Sequence, residues 1–216
     1  MVCGRSIAML RSYAGEIARL LPMEKSIRGI LAKSGRTYYA QFPAPLDLYV
    51  ITRILRPHHV VESGVSSGLS SAHMLAALER NRAGVLHSID LPQHQKGASR
   101  ARGELSWSIP PNRESGWAVP RRLTRRWDLR NGKTEDLLPG LLEEIPRVDL
   151  FCHDSPWTAA HLAFELQAIR RKLHRGSIVV ADNTDANPAA VRRVAEDFGS
   201  EVCRRGSSSL VGIRIL

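Results

Sequence analysis

Segments with the pattern of β-strands alternate with segments of helical pattern from His59 to near the end of the chain. Short apolar runs such as HVVES and VLHSID are separated by longer stretches such as SSAHMLAALERN. The alternation continues through TEDLLPGLLEEI, VDLFCHD, TAAHLAFELQAIRRKL, SIVVADN and PAAVRRVAEDF. A parallel strand needs a crossover connection, usually a helix, so this order predicts β-α-β units. We therefore expect an α/β fold with a doubly wound, mostly parallel sheet.

The two ends of the chain depart from this alternation. Residues 1–44 carry apolar positions at helical spacing, and Pro22 divides them into two predicted helical segments. We expect these residues to form an N-terminal helical cap, and residues 45–216 to form one α/β domain. Near the C-terminus, the runs SEVCRR and LVGIRIL flank GSSS, which predicts an antiparallel hairpin at one end of the sheet.

Composition narrows the class of protein. Of the 216 residues, 43% are hydrophobic and 24% are charged, which suits one sizeable core. No apolar run approaches the ~18 residues of a membrane span, and the N-terminus lacks the pattern of a secretory signal. Cys3, Cys152 and Cys203 are too widely spaced to indicate a disulfide framework or a zinc site. We expect a soluble, cytoplasmic protein that does not associate with membranes.

Residues 91–133 interrupt the alternation with a long segment rich in arginine and tryptophan. The formal net charge of +10 favours anionic partners. Such a segment suits a lid that binds an anionic metabolite through guanidinium groups, or a nucleic-acid surface that combines phosphate contacts with stacking. A charged run is also often only a solvated surface. The residues concerned are Arg100, Arg102, Arg113, Arg121, Arg122, Arg125, Arg126 and Arg130, with Trp107, Trp117 and Trp127.

The stretch VVESGVSSGLS joins the first predicted strand to its helix. In open α/β sheets ligands bind beyond the carboxyl ends of the strands, where Gly64 and Gly68 would let backbone N–H groups approach a ligand. A tight turn needed only for packing would also explain these glycines. Asp90 ends the next predicted strand, where a carboxylate can bind ribose hydroxyls, and it favours the ligand-binding interpretation. The NAD signature G-x-G-x-x-G is not met, because Ser66 stands where its second glycine would be.

A second group of polar residues follows two other predicted strands. Asp154 ends VDLFCHD, and Asp182 and Asn183 end SIVVADN. If these strands are neighbours, their carboxyl ends bring the three side chains together. Carboxylate and amide oxygens are hard ligands suited to Mg²⁺ or Ca²⁺. The alternative is that the two aspartates only cap the turns that follow their strands.

Five blocks in order resemble the class I S-adenosylmethionine-dependent methyltransferases, in particular the catechol O-methyltransferase-like and bacterial small-molecule O-methyltransferases. The blocks are ESGVSSGLS, LHSIDLP, GKTEDLLPGL, VDLFCHDSPWT and IVVADN. The resemblance spans about residues 45–216. It implies a Rossmann-like sheet of seven strands, S-adenosylmethionine as the methyl donor, and a hydroxyl group as the acceptor.

The resemblance also implies roles for individual residues. The implied donor-binding residues are Glu62, Gly64, Gly68, Ser70, Asp90, Thr134, Glu135, Asp154 and Trp157. The first four would line the methionine part, Asp90 the ribose, and the Thr134–Glu135 pair the adenine side, although Thr134 is equally placed to cap the following helix. The implied metal ligands are Asp154, Asp182 and Asn183. They would hold a divalent cation, with Mg²⁺ as the first choice, that also contacts the acceptor hydroxyl, and this gives Asp154 a catalytic role.

Trp157 departs from the family pattern. The catechol enzymes carry lysine at this position and many bacterial relatives carry histidine, so the expected general base is missing. His161, one helical turn later, is the candidate that could replace it, with a surface or internally paired histidine as the alternative. His153 is a weaker candidate, because it alternates with Asp154 along the strand and should point away from it. Trp157 itself is suited to pack against the adenine or the acceptor.

Together these observations predict a metal-assisted O-methyltransferase that acts on a small hydroxylated metabolite, which the arginine-rich segment suggests is anionic. One alternative is an RNA methyltransferase, supported only by the charge. Another is a donor-binding protein without catalysis, suggested by Trp157 at the position of the base. We expect the chain to form a homo-oligomer, most simply a dimer.

Overall fold

A computed structural model of the chain describes residues 7–33, 42–91, 109–110, 113–155, 158–182, 184–204 and 210–216. Its α-helices are α1 (Ile7–Lys33), α2 (Pro45–Leu55), α3 (Leu69–Asn81), α4 (Thr134–Glu144), α5 (Ala159–Ile169) and α6 (Pro188–Asp197). Its strands are β1 (His59–Ser63), β2 (Val85–Asp90), β3 (Trp127–Asn131), β4 (Leu150–His153), β5 (Ile178–Ala181), β6 (Val202–Arg204) and β7 (Val211–Arg214). Short 3₁₀ helices lie at Arg121–Arg126, Arg170–Lys172 and Thr184–Ala186.

The strands form one sheet of seven in the order β3-β2-β1-β4-β5-β7-β6. The first five pair in parallel, whereas β7 is antiparallel to both β5 and β6. The order reverses between β1 and β4, which is where a doubly wound sheet opens a crevice for ligands. The predicted doubly wound sheet with a C-terminal antiparallel pair is confirmed. The GSSS residues between β6 and β7 lie outside the described part of the chain.

Two apolar layers cover the sheet. The first contains buried side chains of α1, α2 and α3 together with Val60 and Cys152, and the second contains those of α4, α5 and α6 together with Val61 and Phe151. Neighbouring residues of one strand thus enter opposite layers, as the pleat requires. Because both faces are covered, β1 and β4 are almost entirely buried, which explains their nearly continuous apolar sequence.

The N-terminal segment differs from its prediction, because α1 runs through Pro22 as one helix. The buried positions Leu20, Met23, Ile27 and Leu31 keep helical spacing on both sides of the proline, so packing against the body favours a continuous helix. Pro22 is exposed, where the carbonyl that loses its N–H partner can bind water. In the described part of the chain, no helix combines the length and the apolar character that crossing a membrane requires.

The end of the arginine-rich segment is also different from its prediction, because it contains a 3₁₀ helix and strand β3. Trp127–Asn131 pairs in parallel with β2 and forms one edge of the sheet. The sequence WDLRN hides this strand, because an edge strand is only half covered and here carries two charged residues. The interruption of the alternation therefore ends before Trp127, and residues 92–108 and 111–112 lie outside the described part.

Candidate functional site

The predicted site residues meet at the carboxyl edge of the parallel strands. Backbone hydrogen bonds continue from strand to strand just past the strand ends. The amide of Gly64 donates to Ile89 (2.9 Å), that of Asp154 to Ser63 (2.8 Å), and that of Asp182 to His153 (3.0 Å). The residues after β1, β2, β4 and β5 are thereby held side by side. The structure thus brings Asp154 and Asp182 near Glu62 and Asp90.

The glycines of the β1–α3 loop are required by the backbone and by packing. Gly64 and Gly68 have φ values of +86° and +88°, which side chains rarely adopt. A Cβ atom on Gly64 would lie 2.1 Å from the carbonyl oxygen of Asp154, and one on Gly68 would lie 2.3 Å from Val119 Cγ2. Packing within the protein therefore accounts for both glycines without a ligand, as the alternative in the sequence analysis proposed.

Glu62, on β1, anchors this loop through hydrogen bonds to the start of α3. Its buried carboxylate accepts hydrogen bonds from the hydroxyl groups of Ser70 (2.6 Å), Ser71 (2.7 Å) and Ser88 (2.7 Å). Burial raises the pKa of Glu62 to about 7 although the three hydroxyls favour its charged form. Glu62 and Ser70, predicted to line the methionine part of a donor, bind each other in this structure. They hold the start of α3 against β1 and β2, so their effect on a ligand is exerted through the loop.

Asp90 lies at the end of β2 against the same loop. Its Oδ1 atom accepts hydrogen bonds from the amides of Val65 (2.9 Å) and Ser66 (3.4 Å), and its Oδ2 atom accepts one from the Ser115 hydroxyl. Burial raises the pKa of Asp90 despite these bonds. A ribose would have to displace or share the Ser115 contact. Ser115 was not identified from the sequence, since a serine in a long connection carries no recognisable signal.

The segment Ser115–Val119 covers the glycine loop. The amide of Gly116 donates to the carbonyl of Ser66 (2.8 Å), and the amide of Ala118 donates to that of Ser67 (3.1 Å). Two buried polar atoms of this contact, Ser67 Oγ and Trp117 Nε1, have no hydrogen-bond partner among the described residues. Since buried polar groups are rarely left unpaired, these atoms mark a place where a polar ligand or water can bind.

Asp154 and Asp182 form an acidic pair at the ends of adjacent strands. The β4–β5 register pairs His153 with Ala181, so the two aspartates follow at equivalent positions. Burial, followed by the negative charge of Asp182, raises the pKa of Asp154 well above its usual range. A bound cation would relieve this repulsion, so the pair fits a hard divalent metal. The third predicted ligand, Asn183, lies outside the described residues, among which no cluster of three metal-binding side chains occurs.

His161 is held between two carboxylates. Its Nδ1 atom lies 3.0 Å from Glu135 Oε1, and its Nε2 atom lies 2.8 Å from Glu165 Oε1. The desolvation of the ring is outweighed by these two partners, and the pKa of His161 is raised. With both nitrogens engaged, His161 has no free position to take a proton from an acceptor hydroxyl. The arrangement therefore argues against His161 as the replacement base and matches the internally paired histidine considered as its alternative.

Glu165 was missed in the sequence analysis. Its side chain is fully buried on α5 and binds Ser63, His153, Ser155 and His161. The spacing of four residues between His161 and Glu165 is the only local signal, because it places the two on one face of a helix. The other contacts join residues about ten to a hundred positions apart and are visible only in the fold.

Thr134 and Glu135 open α4 near these groups. The N-cap of the helix is Lys133, without a side-chain capping bond, so the capping role considered for Thr134 is wrong. Thr134 is instead buried in the first turn, and Glu135 is paired with His161. Trp157, the remaining predicted donor contact, lies outside the described part of the chain.

Arginines of the arginine-rich segment are dispersed. Arg126 donates to the carbonyl of Gly84 (3.3 Å), before β2 begins, and Arg130 binds Glu144 at the far end of α4. Arg126 thus lies near the amino end of β2, whereas Arg130 pairs with Ile89, next to Asp90, and its guanidinium is occupied by Asp128 and Glu144. The exposed side chains of Arg121, Arg122 and Arg125 have no ion pair or side-chain hydrogen bond to the described residues. Arg100, Arg102 and Trp107 lie outside those residues.

Solved structures with the same fold come from several methyltransferases. A protein from Klebsiella pneumoniae assigned as an O-methyltransferase shares 16% identity over 90% of each chain, with a TM-score of 0.61. The Bacillus cereus O-methyltransferase, solved with S-adenosylhomocysteine, shares 11% identity over 89% of this chain and 90% of its own, with a TM-score of 0.58. TomG from Streptomyces achromogenes, solved with S-adenosylmethionine, shares 15% identity over 88% and 87%, with a TM-score of 0.55. At these identities the likeness concerns the fold.

Sequence comparison identifies the family. No curated protein has a sequence that matches this chain significantly. A family described as "Methyltransferase domain" matches residues 61–184, which contain the glycine loop, Asp90, the acidic pair and the Glu165 network. The match covers more than half of the chain and confirms the family recognised from the sequence blocks. The chain therefore belongs to the family of methyltransferase domains.

Proposed function

We propose that the protein transfers a methyl group from S-adenosylmethionine to a hydroxyl oxygen of a small metabolite. The observation that carries the proposal is the Asp90 carboxylate beside the glycine loop, at the carboxyl ends of the first two strands of a methyltransferase-family sheet. The Bacillus cereus and Streptomyces achromogenes structures of this fold contain S-adenosylhomocysteine and S-adenosylmethionine. They support the choice of donor.

The described residues fit such a donor at two points. Asp90 can accept hydrogen bonds from ribose hydroxyls when the Ser115 hydroxyl moves aside, since an ionised carboxylate only accepts. Ser67 Oγ and Trp117 Nε1, which lack partners in the described part of the chain, would gain them from polar atoms of a ligand under the Ser115–Val119 segment. In this proposal the segment covers the donor and excludes water from it, as a lid would.

The acidic pair provides for the acceptor. Asp154 and Asp182, with Asn183 as the third predicted ligand, would hold a divalent cation such as Mg²⁺. When bound, the cation would lower the pKa of a coordinated hydroxyl and so make its oxygen nucleophilic. The residues of the chain orient the two reactants for an in-line displacement and keep water out. The position of the family's base holds Trp157 and not lysine or histidine. Activation of the acceptor hydroxyl would therefore depend more on the cation.

Donor binding is tested by calorimetry with S-adenosylmethionine. We expect Asp90→Ala to weaken binding at least several-fold, because two lost ribose hydrogen bonds are together worth ~1–3 kcal/mol. Asp185→Ala is the matched control, since Asp185 is an exposed aspartate in an ion pair with Arg204. Binding of NAD with similar strength, or no binding of S-adenosylmethionine, would reject the proposal.

The cation is tested separately in the presence of donor and a pool of hydroxylated acceptors. We expect excess EDTA to abolish formation of S-adenosylhomocysteine, and added Mg²⁺ to restore it. Asp182→Ala should lose this response to Mg²⁺ while donor affinity stays nearly unchanged, because the donor would lie mainly on the first two strands. Full turnover in excess EDTA would reject the metal site. Asp154 and Asp182 would then only cap the turns that follow their strands.

A further inference from the structure

The fully buried Glu165 carboxylate connects the ends of the elements that surround the candidate site. Its Oε1 atom accepts hydrogen bonds from Ser155 Oγ and His161 Nε2, both at 2.8 Å. Its Oε2 atom accepts them from Ser63 Oγ (2.7 Å) and His153 Nδ1 (2.6 Å). An ionised carboxylate offers about four lone-pair sites, so these four donors saturate it. Glu165 therefore has no capacity left for a ligand, and its function is to hold protein groups in place.

His161 extends this connection to α4. Its second nitrogen binds Glu135, whose side chain is 53% exposed. A ring that donates from both nitrogens must be protonated. The groups facing it are Glu165 on its own helix, Glu135 on α4, and the rings of His153 and Phe164 at 6.5 and 6.3 Å. The two carboxylates dominate these surroundings and stabilise the imidazolium.

The residues joined by this network lie in the two connections that flank the candidate donor site. Ser155 belongs to the β4–α5 connection, directly after Asp154, and Glu135 belongs to the first turn of α4. Both lie at the carboxyl edge, and the family resemblance implies that the Thr134–Glu135 pair lies on the adenine side of the donor. A hydrogen-bonded path runs from one connection to the other through Glu165 and His161.

We propose that His161 and Glu165 are positioning residues, which clamp Ser155, just after β4, to the first turn of α4 and so hold the wall of the donor site that faces the adenine. The inference rests on the proposed function, because the wall has this role only if the donor binds there. The clamp is closed while His161 is protonated. It loosens when the ring loses its proton, because one of the two carboxylates then loses its donor.

The test compares Glu135→Gln, His161→Gln and the double variant, with the exposed Glu143→Gln on the same helix as control. Calorimetry with S-adenosylhomocysteine is run from about pH 6 to about pH 9, the range in which histidines with raised pKa values lose their protons. We expect each single variant to lower affinity about five-fold, because it removes a charge-assisted hydrogen bond that holds the wall in place. The double variant should lose no more than His161→Gln alone, because Glu135 acts on the wall only through His161.

The pH profile separates a clamp from a contact with the donor. Wild-type affinity should fall as the pH rises through the raised pKa of His161, and in Glu135→Gln the fall should move to lower pH. Additive losses in the double variant would mean that Glu135 touches the donor itself, and unchanged affinities would mean that the wall needs no clamp. Either result overturns the proposal.

Nuclear magnetic resonance provides a test that is independent of donor binding. The His161 ring should titrate above the normal histidine range in the wild type and closer to it in Glu135→Gln. An unshifted His161 titration overturns the clamp even if the protein binds donor. If the pKa of His161 is raised but the wild type binds no donor, the proposed function is refuted. The clamp is then rejected as well, because it has no donor site to support.

Discussion

The buried carboxylates near the site differ in the groups that neutralise them. Glu165 meets two imidazole rings and two hydroxyls, and these outweigh the cost of burial and lower its pKa to about 2. Glu62 meets hydroxyls only, so burial prevails and its pKa is raised to about 7. Asp154 meets the charge of Asp182, which adds to the effect of burial. Glu165 is therefore suited to be a permanent internal charge, and Asp154 to be a cation ligand. Glu62 is an anchor that changes its protonation near neutral pH.

Glu62 makes the stability of the protein depend on pH. Its pKa rises from 4.5 to about 7 on folding, so the folded state keeps a proton that the unfolded state releases. The contribution of Glu62 to stability is full below pH 4.5 and is lost as the pH rises to about 7. The change amounts to about 3 kcal/mol. We expect Glu62→Gln, which stays neutral, to gain about this much relative to the wild type between these pH values, as measured by urea unfolding.

The control for this prediction is Glu196→Gln, a change at an exposed glutamate of α6. Its unfolding free energy should follow that of the wild type at every pH. The serine hydroxyls around Glu62 can rotate to suit the new amide, so a uniform offset between Glu62→Gln and the wild type is compatible with the prediction. Such an offset would be added to the pH-dependent gain, so an offset alone, with no change between pH 4.5 and about 7, would mean that Glu62 titrates normally.

At the scale of whole elements, the sequence predicts those strands and helices whose pattern agrees with their packing. Strands β1, β2, β4 and β5 have apolar runs because both sheet faces are covered, and they appear where predicted. Strand β3 was missed because an edge strand buries too little to impose an apolar pattern. The sequence predicts a break in α1 at Pro22, because proline is unfavourable inside a helix. The buried face that continues past Pro22 stabilises a single helix, and it is visible only in the fold. Both errors come from tertiary packing that local patterns do not contain.

Attachment of α1 to the body depends on Glu16. Its Oε2 atom accepts hydrogen bonds from Arg53 Nε (2.7 Å) and the Tyr49 hydroxyl (2.8 Å), both on α2. The hydrogen bond from Arg53 is the main reason that the pKa of Glu16 is lowered to about 2. A lowered pKa stabilises the folded state above the unfolded value of 4.5, and this stabilisation is lost as the pH falls toward 2.

We expect Glu16→Gln to loosen α1 and to cost about 2 kcal/mol, because it leaves the mostly buried guanidinium of Arg53 without its charge partner. Hydrogen exchange should accelerate in the amides of α1 while those of β1 and β4 keep their protection. Glu201→Gln, at an exposed position, serves as the control. Equal exchange of α1 in the variant and the wild type would show that its apolar face alone holds the helix.

At the scale of the whole molecule, the sheet order determines which parts of the site could be anticipated. Residues at the end of a strand, such as Asp90, or directly after one, such as Asp154 and Asp182, are predictable because parallel strands end at one edge. Contacts that depend on how connections fold back cannot be predicted in this way. Examples are the hydrogen bond from Ser115 to Asp90 and the one from Ser155 to Glu165. The hydrogen bonds of these residues reach across the fold, and the sequence order does not reveal them.

The net charge of +10 bears on the choice between a small acceptor and RNA. An RNA enzyme needs cations that guide the polymer to the edge where Asp90 lies. Arg121, Arg122 and Arg125, which pair with none of the described side chains, instead belong to a 3₁₀ helix that packs along α3 and leads to the start of β3. Arg126, the last residue of this helix, binds a carbonyl before β2. We therefore expect these arginines to bind polyanions only loosely and without effect on catalysis.

Incubating the protein, Mg²⁺ and labelled S-adenosylmethionine with a cell extract tests this expectation. Label should enter the small-molecule fraction and not the RNA. Formation of the labelled product should continue at a salt concentration that removes bound oligonucleotide. Arg121→Ala combined with Arg122→Ala should reduce the salt slope of oligonucleotide binding by about two units, because two phosphate contacts are lost, while small-molecule labelling stays unchanged. If RNA is labelled and the double variant abolishes this labelling, the basic surface is the substrate-binding face. The proposal of a small-molecule acceptor would then be wrong.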